Sequence, residues 1–316
     1  MKEEGTIEIT PRIHELLTKL EHKYDAMGQN MESYMEGLLH ADYTTYWDYI
    51  HTDALLALQN PKTSFPDEMV FIMYHQVTEL YFKLTLHEIE QISGKRDLTK
   101  EFFLARLKRI NAYFDVLTES FRIMIDGMEP EQFLKFRMSL LPASGFQSAQ
   151  YRMIEICSTN FYNLVEKRHR ERFNGDEDIA VMFEYIYWKS GATELATGKK
   201  TLTLTQFERK YSSKLRELAV EYRHKNLLER YNQLSDKDDE LKKEMRHFDL
   251  NVNVNWPMIH MRSAARYLAK PEGEIAATGG TNWQKYLAPR LQQRIFFASL
   301  WSDEEKENWG TASVTY

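Results

Sequence analysis

The chain has 316 residues, 43% hydrophobic and 28% charged, with a formal net charge of −6. That is the composition of a globular protein with a large core, and its scattered basic residues give no nucleic-acid footprint. A single cysteine, Cys157, excludes an internal disulfide framework, multi-cysteine metal sites and a C-x-x-C-H attachment motif.

The start, Met-Lys-Glu-Glu-Gly, is charged with no apolar core behind it, which predicts no signal peptide. No apolar run approaches the ~18 residues of a membrane span, so a reducing, cytoplasmic setting without a membrane partner is expected. The outlying quantity is aromatic content, 13%, from 18 Tyr, 17 Phe and 6 Trp. Most of these rings must be core, and the excess leaves material for a flat, ring-lined pocket.

Helical periodicity runs almost throughout and predicts an all-α fold. Ile13, Leu16, Leu17 and Leu20 mark an amphipathic helix that fades near Gly28, and a second helical segment covers roughly 43–58. Pro66, Asp67 and Glu68 open a long helix to about Glu88, because proline suits an early helical position and acids suit the first turn's dipole. Phe71, His75, Thr78 and Phe82 share one face of it, beside an apolar stripe of Val70, Met73, Val77, Leu80 and Leu84. Further helices fit 100–126, 129–141, 148–172, 181–188 and 206–234. Residues 165–245 read as an inserted helical lid on the main bundle, Thr201–Thr205 alternates like a strand, and 236–246 reads as a solvated charge run.

Three segments carry chemistry. His75 lies between aromatic rings, as a core group or as the polar handle of a pocket. Phe133, Arg137 and Leu140 share a face, so Arg137 projects from an apolar side, where its guanidinium needs either an internal carboxylate or a substrate's. Pro142 disfavours helix at Leu141, Gly145 permits a tight turn, and Ser148 can cap the next helix. The third segment runs from Asn255, read as a cap, to a helix failing at Lys270-Pro271; Trp256, His260, Ala264 and Tyr267 share its face. Small side chains one turn beyond His260 suit a flat macrocycle whose metal His260 reaches, while a core histidine bonded to a carbonyl is the bland reading. Thr278-Gly279-Gly280-Thr281 allows close backbone approach to a ligand. His40, His51 and His87 have no partner at metal spacing, and His75 with Glu79 has no evident third ligand for non-haem iron.

Four blocks in order resemble the tryptophan 2,3-dioxygenase family, within the haem-dependent aromatic oxygenases. They are Tyr46-Trp-Asp-Tyr49-Ile50 to Gln59; Asp67-Glu68 through His75-Gln76 to His87-Glu88; Phe136-Arg137 through Ser144-Gly-Phe-Gln-Ser148 to Arg152; and His260 through Thr278-Gly279-Gly280. The resemblance spans about 43–287. It departs before His260, where an Arg-rich family sequence is replaced by Val-Asn-Trp-Pro-Met-Ile, and at Ala277-Thr-Gly-Gly-Thr281, where the family has Gly-Thr-Gly-Gly-Ser.

The resemblance implies a haem-binding helical bundle with non-covalent haem b (iron protoporphyrin IX). It implies His260 as the axial iron ligand with Trp256 and Ala264 beside the cofactor, and His75 as the distal histidine facing the indole nitrogen. Phe71 would pack on the indole, Arg137 clamp the carboxylate, Leu140 form pocket wall, and Thr278 meet the ammonium and carboxylate. Tyr46, Tyr49 and Ile50 would come from a neighbouring subunit of a homotetramer with exchanged N-terminal segments. The implied reaction opens the C2–C3 bond of L-tryptophan with O2 to give N-formyl-L-kynurenine, with His75 orienting the indole N–H rather than acting as a strong base. Alternatives are an aromatic amino acid hydroxylase of the same superfamily, a non-catalytic haem-binding protein, and a helical interaction protein without cofactor.

Overall fold

The computed structural model describes residues 8–141, 143–175, 177–193, 199–270, 273–274 and 287–311. The chain divides into two compact units, residues 1–58 and 59–316.

The first unit holds α1 (Pro11–Ala26), α2 (Met31–Leu39), α3 (Tyr46–Tyr49) and α4 (Thr52–Leu56). Thr10 and Asn30 cap the first two, each side chain accepting from a backbone N–H three residues on. Tyr24 of α1 and Tyr34 of α2 bring their ring centroids to 4.7 Å. The helix expected over 43–58 is interrupted at His51, whose φ of +53° is left-handed. None of the four helices contains a buried residue.

The second unit is organised on α5 (Pro66–Gly94), against which α6 (Lys100–Ser120) and α9 (Ala149–Ser158) pack. The pair α5/α6 is antiparallel, Tyr74 Oη reaching Leu117 O at 3.3 Å while Glu88 near the other end meets Arg109 at 3.0 Å. Ile89, Ile92, Phe103, Leu107, Ile110 and Phe114 are fully buried between them, each such side chain contributing roughly 1.5–3 kcal/mol. Glu88 is buried too, its charge answered by Arg106 and Arg109. The stripe Met73, Val77, Leu80 and Leu84 is exposed, each residue 42–48%.

After α6 come α7 (Arg122–Asp126) and α8 (Pro130–Phe136), the latter continuing as a 3-10 turn over Arg137–Leu140. A helix over 148–172 is not formed: α9 stops at Ser158 and two 3-10 turns follow, Phe161–Leu164 and Lys167–Arg172. Next are α10 (Ile179–Phe183), α11 (Tyr187–Gly191), α12 (Leu202–Glu221) and α13 (Leu227–Gln233). The strand-like threonines begin α12 instead, because Thr201 is its N-cap, accepting from Leu204 N. Phe183, Trp188, Phe207 and Leu215, all within 165–245, belong to the principal core.

The charge run is helical: α14 (Asp239–Leu250) leads through a π-helical turn, Asn251–Asn255, into α15 (Trp256–Leu268). Asn255 therefore does not cap a new helix but lies inside a continuous helical path. Beyond Leu268 the backbone forms a two-residue antiparallel pairing, Ala269–Lys270 with Gly273–Glu274. Short helices α16 (Pro289–Gln292) and α17 (Asp303–Glu307) end the described chain. The fold is all-α, and no described helix is long and apolar enough to cross a membrane.

Candidate active site

Two cross-ties set α5 against its neighbours around His75. At its start, Asp67 Oδ2 accepts from Glu129 N at 2.6 Å while Asp67 N donates to Gln132 Oε1 at 3.2 Å, which fixes α8. One turn after His75, Gln150 Nε2 donates to Glu79 O and Glu79 Oε2, both at 2.8 Å, which fixes α9. The turn before α9 is a capping box of Ser144 and Gln147, and Ser148 caps α9 itself. The turn expected at Gly145 and the cap expected at Ser148 are thus in place; Pro142 lies outside the described residues.

His75 is half-buried under Phe71, ring centroids 4.1 Å apart, with Tyr74 edge-on at 6.4 Å. Its Nδ1 sits 2.7 Å from Phe71 O. A carbonyl only accepts, so this Nδ1 carries the proton and Nε2 keeps its lone pair. Loss of water around the ring lowers its pKa from the ordinary histidine value. Phe71 in turn packs on Phe133 and Phe136.

His260 on α15 repeats the arrangement. Its Nδ1 lies 3.0 Å from Trp256 O, and its ring is held between Phe121 at 4.3 Å and Trp256 at 4.4 Å. Desolvation, with a smaller contribution in the same sense from nearby His75, lowers its pKa to about 4 against the opposing hydrogen bond to Trp256 O. His260 is therefore a neutral imidazole at pH 7 with Nε2 available as a donor to a metal. Phe121 links the two histidines, touching His260 directly and His75 through Tyr74, 5.6 Å away. Trp256 is buried edge-on to Phe82 and Phe121. Ala264 is half-buried against the core one turn beyond His260.

Arg137 is 5% exposed, at the junction of α8 and the 3-10 turn, and burial lowers its pKa from the ordinary guanidinium value. It follows Phe136, which packs on Phe71, so the guanidinium is carried on the segment that backs the His75 ring. Leu140 is half-buried at the end of the same turn. Tyr46, Tyr49 and Ile50 belong to the first unit and are exposed at 73, 77 and 40%. Thr278 lies outside the described residues.

Sequence reasoning missed Phe121, Tyr74 and Gln150. Phe121 follows the last residue of α6 and reads as one more helix-terminal aromatic, while the Gln150–Glu79 tie joins distant helices. Only Tyr74 carried a signal, as the residue next to His75. Among the described residues no three His, Cys, Asp or Glu side chains group as a metal site.

Comparison with known proteins identifies the family. A family model described as tryptophan 2,3-dioxygenase matches residues 32–282. A tryptophan 2,3-dioxygenase of Bacillus thuringiensis subsp. konkukian is 29% identical over 299 residues, covering 89% of this chain and 100% of that protein. One from Ruegeria sp. strain TM1040 is 44% identical over 119 residues, 36% of this chain and 41% of that protein. One from Bacillus anthracis is 40% identical over 136 residues, 41% of this chain and 47% of that protein. The two more identical matches thus span less than half of each relative, whereas the first runs its full length. With a family match that embraces both histidines and Arg137, the chain belongs to the tryptophan 2,3-dioxygenase family.

Proposed function

We propose that the protein opens the indole C2–C3 bond of L-tryptophan with O2 to yield N-formyl-L-kynurenine, the first step of tryptophan catabolism by the kynurenine route. The observation that carries this reading is the paired imidazoles, each with Nδ1 tied to a carbonyl and Nε2 left as the reactive nitrogen. The residues fit a haem: the donor is a neutral imidazole, the surroundings are aromatic, and the side chain one turn beyond His260, Ala264, is small. Bound non-covalently, ferrous haem b would supply the O2 chemistry.

In this reading His260 Nε2 would hold the haem iron, with Trp256 and Ala264 beside the cofactor. Arg137, already desolvated, binds the substrate carboxylate by charge-assisted hydrogen bonds, and Thr278 meets the amino-acid end. Phe71 packs on the indole and Leu140 closes the wall. His75 Nε2 accepts from the indole N–H and so orients the ring, a proximity effect rather than base catalysis. Tyr46, Tyr49 and Ile50 complete the pocket of a neighbouring subunit in a homotetramer with exchanged N-terminal segments. The unburied helices of the first unit support that exchange. Residues 165–245 form a helical lid region rooted in the core through Trp188 and Phe207. A cytoplasmic location goes with this assignment.

The test is a spectrum of the reduced protein exposed to CO, followed by product analysis with tryptophan and O2. A CO-shifted haem band and near-ultraviolet absorption of N-formylkynurenine are expected. A haem band with a hydroxylated amino acid as product would assign the chain to hydroxylase chemistry. Haem binding without turnover would make it a haem-binding protein, and no haem band would overturn the reading.

A further inference from the structure

The helical path into α15 contains an anomaly that the chemistry above does not use. Asn251–Asn255 is a π-helical turn, and the Trp256 N–H donates to Asn251 O five residues back. Pro257 accounts for part of this, since it has no N–H to give Asn253 O and its ring crowds that carbonyl in an α-helix. Single π turns of this kind concentrate at functional sites.

Three carboxamides sit at alternate positions of the turn, and the Nδ2 of each donates to a side-chain oxygen. Asn255 Nδ2 donates to Asn251 Oδ1 at 2.9 Å, and Asn251 Nδ2 donates to Asp115 Oδ1 on α6 at 2.9 Å. On the other side Asn253 Nδ2 donates to Asp249 Oδ1 at 2.8 Å. Asp249 is fully buried, and its remaining donors all come from the C-terminal segment: Phe296 N at 2.9 Å, Phe297 N at 3.0 Å and Trp301 Nε1 at 3.0 Å. That segment is itself pinned by Arg294, which pairs with Glu155 of α9 and lies 2.7 Å from Tyr187 Oη.

The backbone of Trp256 joins this network to the histidine. Its N–H closes the π turn, and its carbonyl receives His260 Nδ1. Relaxation of the turn to α-helical spacing would advance everything after it by one residue, about 1.5 Å along and 100° around the axis. Such a shift would swing His260 off its present face.

We propose that Asp249 and the Asn251–Asn253–Asn255 ladder are positioning residues for the axial histidine. They hold the π turn open, and the C-terminal segment acts through Asp249 as the support of the His260 imidazole. This rests on the reading of His260 as iron ligand but adds what sets its direction.

The test uses ferrous haem-loaded full chain and the resonance Raman iron–histidine stretching band, with the rate of haem loss to apomyoglobin as a second readout. Asn255→Ala, Asn253→Ala and Asp249→Asn are compared with Leu241→Ala, a core truncation in α14 that tests destabilisation alone. The ladder variants should shift or broaden the band and speed haem loss roughly 10-fold, whereas Leu241→Ala should lower the melting temperature and leave the band in place. Should Asp249→Asn fail to fold, Asn255→Ala decides, since it removes one half-buried rung. Unchanged band and haem loss in the folded ladder variants overturn the proposal, as does an equal band shift in Leu241→Ala. Retention of the band in His260→Ala overturns the ligand reading and the proposal with it; loss there with unmoved ladder variants overturns the proposal alone.

Discussion

His75 and His260 are held by one device used twice: each places Nδ1 on the carbonyl four residues earlier in its own helix, at 2.7 and 3.0 Å. A helix supplies that carbonyl without a second element, so tautomer and ring direction are set locally. The consequence is two Nε2 atoms fixed by backbones that cross-ties and packing then bring together.

The roles proposed for the two rings differ, and substitution should separate them. His260→Ala should abolish stoichiometric haem binding or the ordinary ferrous spectrum, and a variant keeping both would remove His260 as ligand. His75→Ala should lower kcat about 10-fold, less than the 10²–10⁴-fold typical of a lost general base. Complete loss of turnover, with haem and tryptophan still bound, would make His75 the base.

In the proposed reading Arg137→Ala would remove a charge-assisted clamp worth about 1.5–3 kcal/mol. KM for tryptophan should rise roughly 10- to 100-fold, with a far smaller change for an indole lacking the carboxylate. Equal changes for both substrates would make Arg137 a structural cation.

Apoprotein stability should fall as pH drops from the ordinary histidine pKa of 6.5 towards the folded value of about 4 at His260. In that window the unfolded chain binds a proton that the folded chain refuses, so unfolding is favoured. His75, also lowered, adds in the same direction. His247 works oppositely: Asp115, 3.0 Å away, raises its pKa, so its contribution is full below 6.5 and fades as pH rises through the folded value. Urea melts of apoprotein at pH 7 and pH 4.5 should show a smaller loss in His260→Leu than in wild type; an identical loss would contradict this assignment.

Gly310 combines a φ of +69° with a position where an added Cβ would stand 2.5 Å from Pro289 Cβ. Gly310→Ala should therefore cost at least about 1 kcal/mol, measured by thermal melting. Because Phe296, Phe297 and Trp301 hold Asp249 from the same C-terminal segment, the variant should also speed haem loss.

Much of this was legible in the sequence where one residue type has one local use. Pro66 and the acids after it mark the start of α5, Ser148 caps α9, and Phe71, His75, Thr78 and Phe82 do share the inward face. The candidate site was legible through Arg137 and the two histidines, although their convergence depends on contacts between distant helices. What failed was context. Threonines 201, 203 and 205 alternate like a strand, yet Thr201 spends its hydroxyl on a helix cap. Asn255 reads as another such cap, but the preceding helix does not stop, and the widened turn has no periodicity of its own to announce it. Met73, Val77, Leu80 and Leu84 repeat as regularly as the inward face, and periodicity alone does not say which apolar face the same chain covers.

The first unit, with no buried residue in any helix and Leu38, Leu39 and Tyr43 at 72, 84 and 97% exposure, carries a kinetic consequence. Apolar side chains so placed gain nothing from folding in isolation, so their order depends on encounter with another surface. In the homotetramer proposed above that encounter would be bimolecular, and completion of the pocket would become a function of protein concentration. Specific activity should then decline on dilution and recover with a lag on reconcentration, a hysteresis set by Tyr46, Tyr49 and Ile50 rather than by any residue near His260.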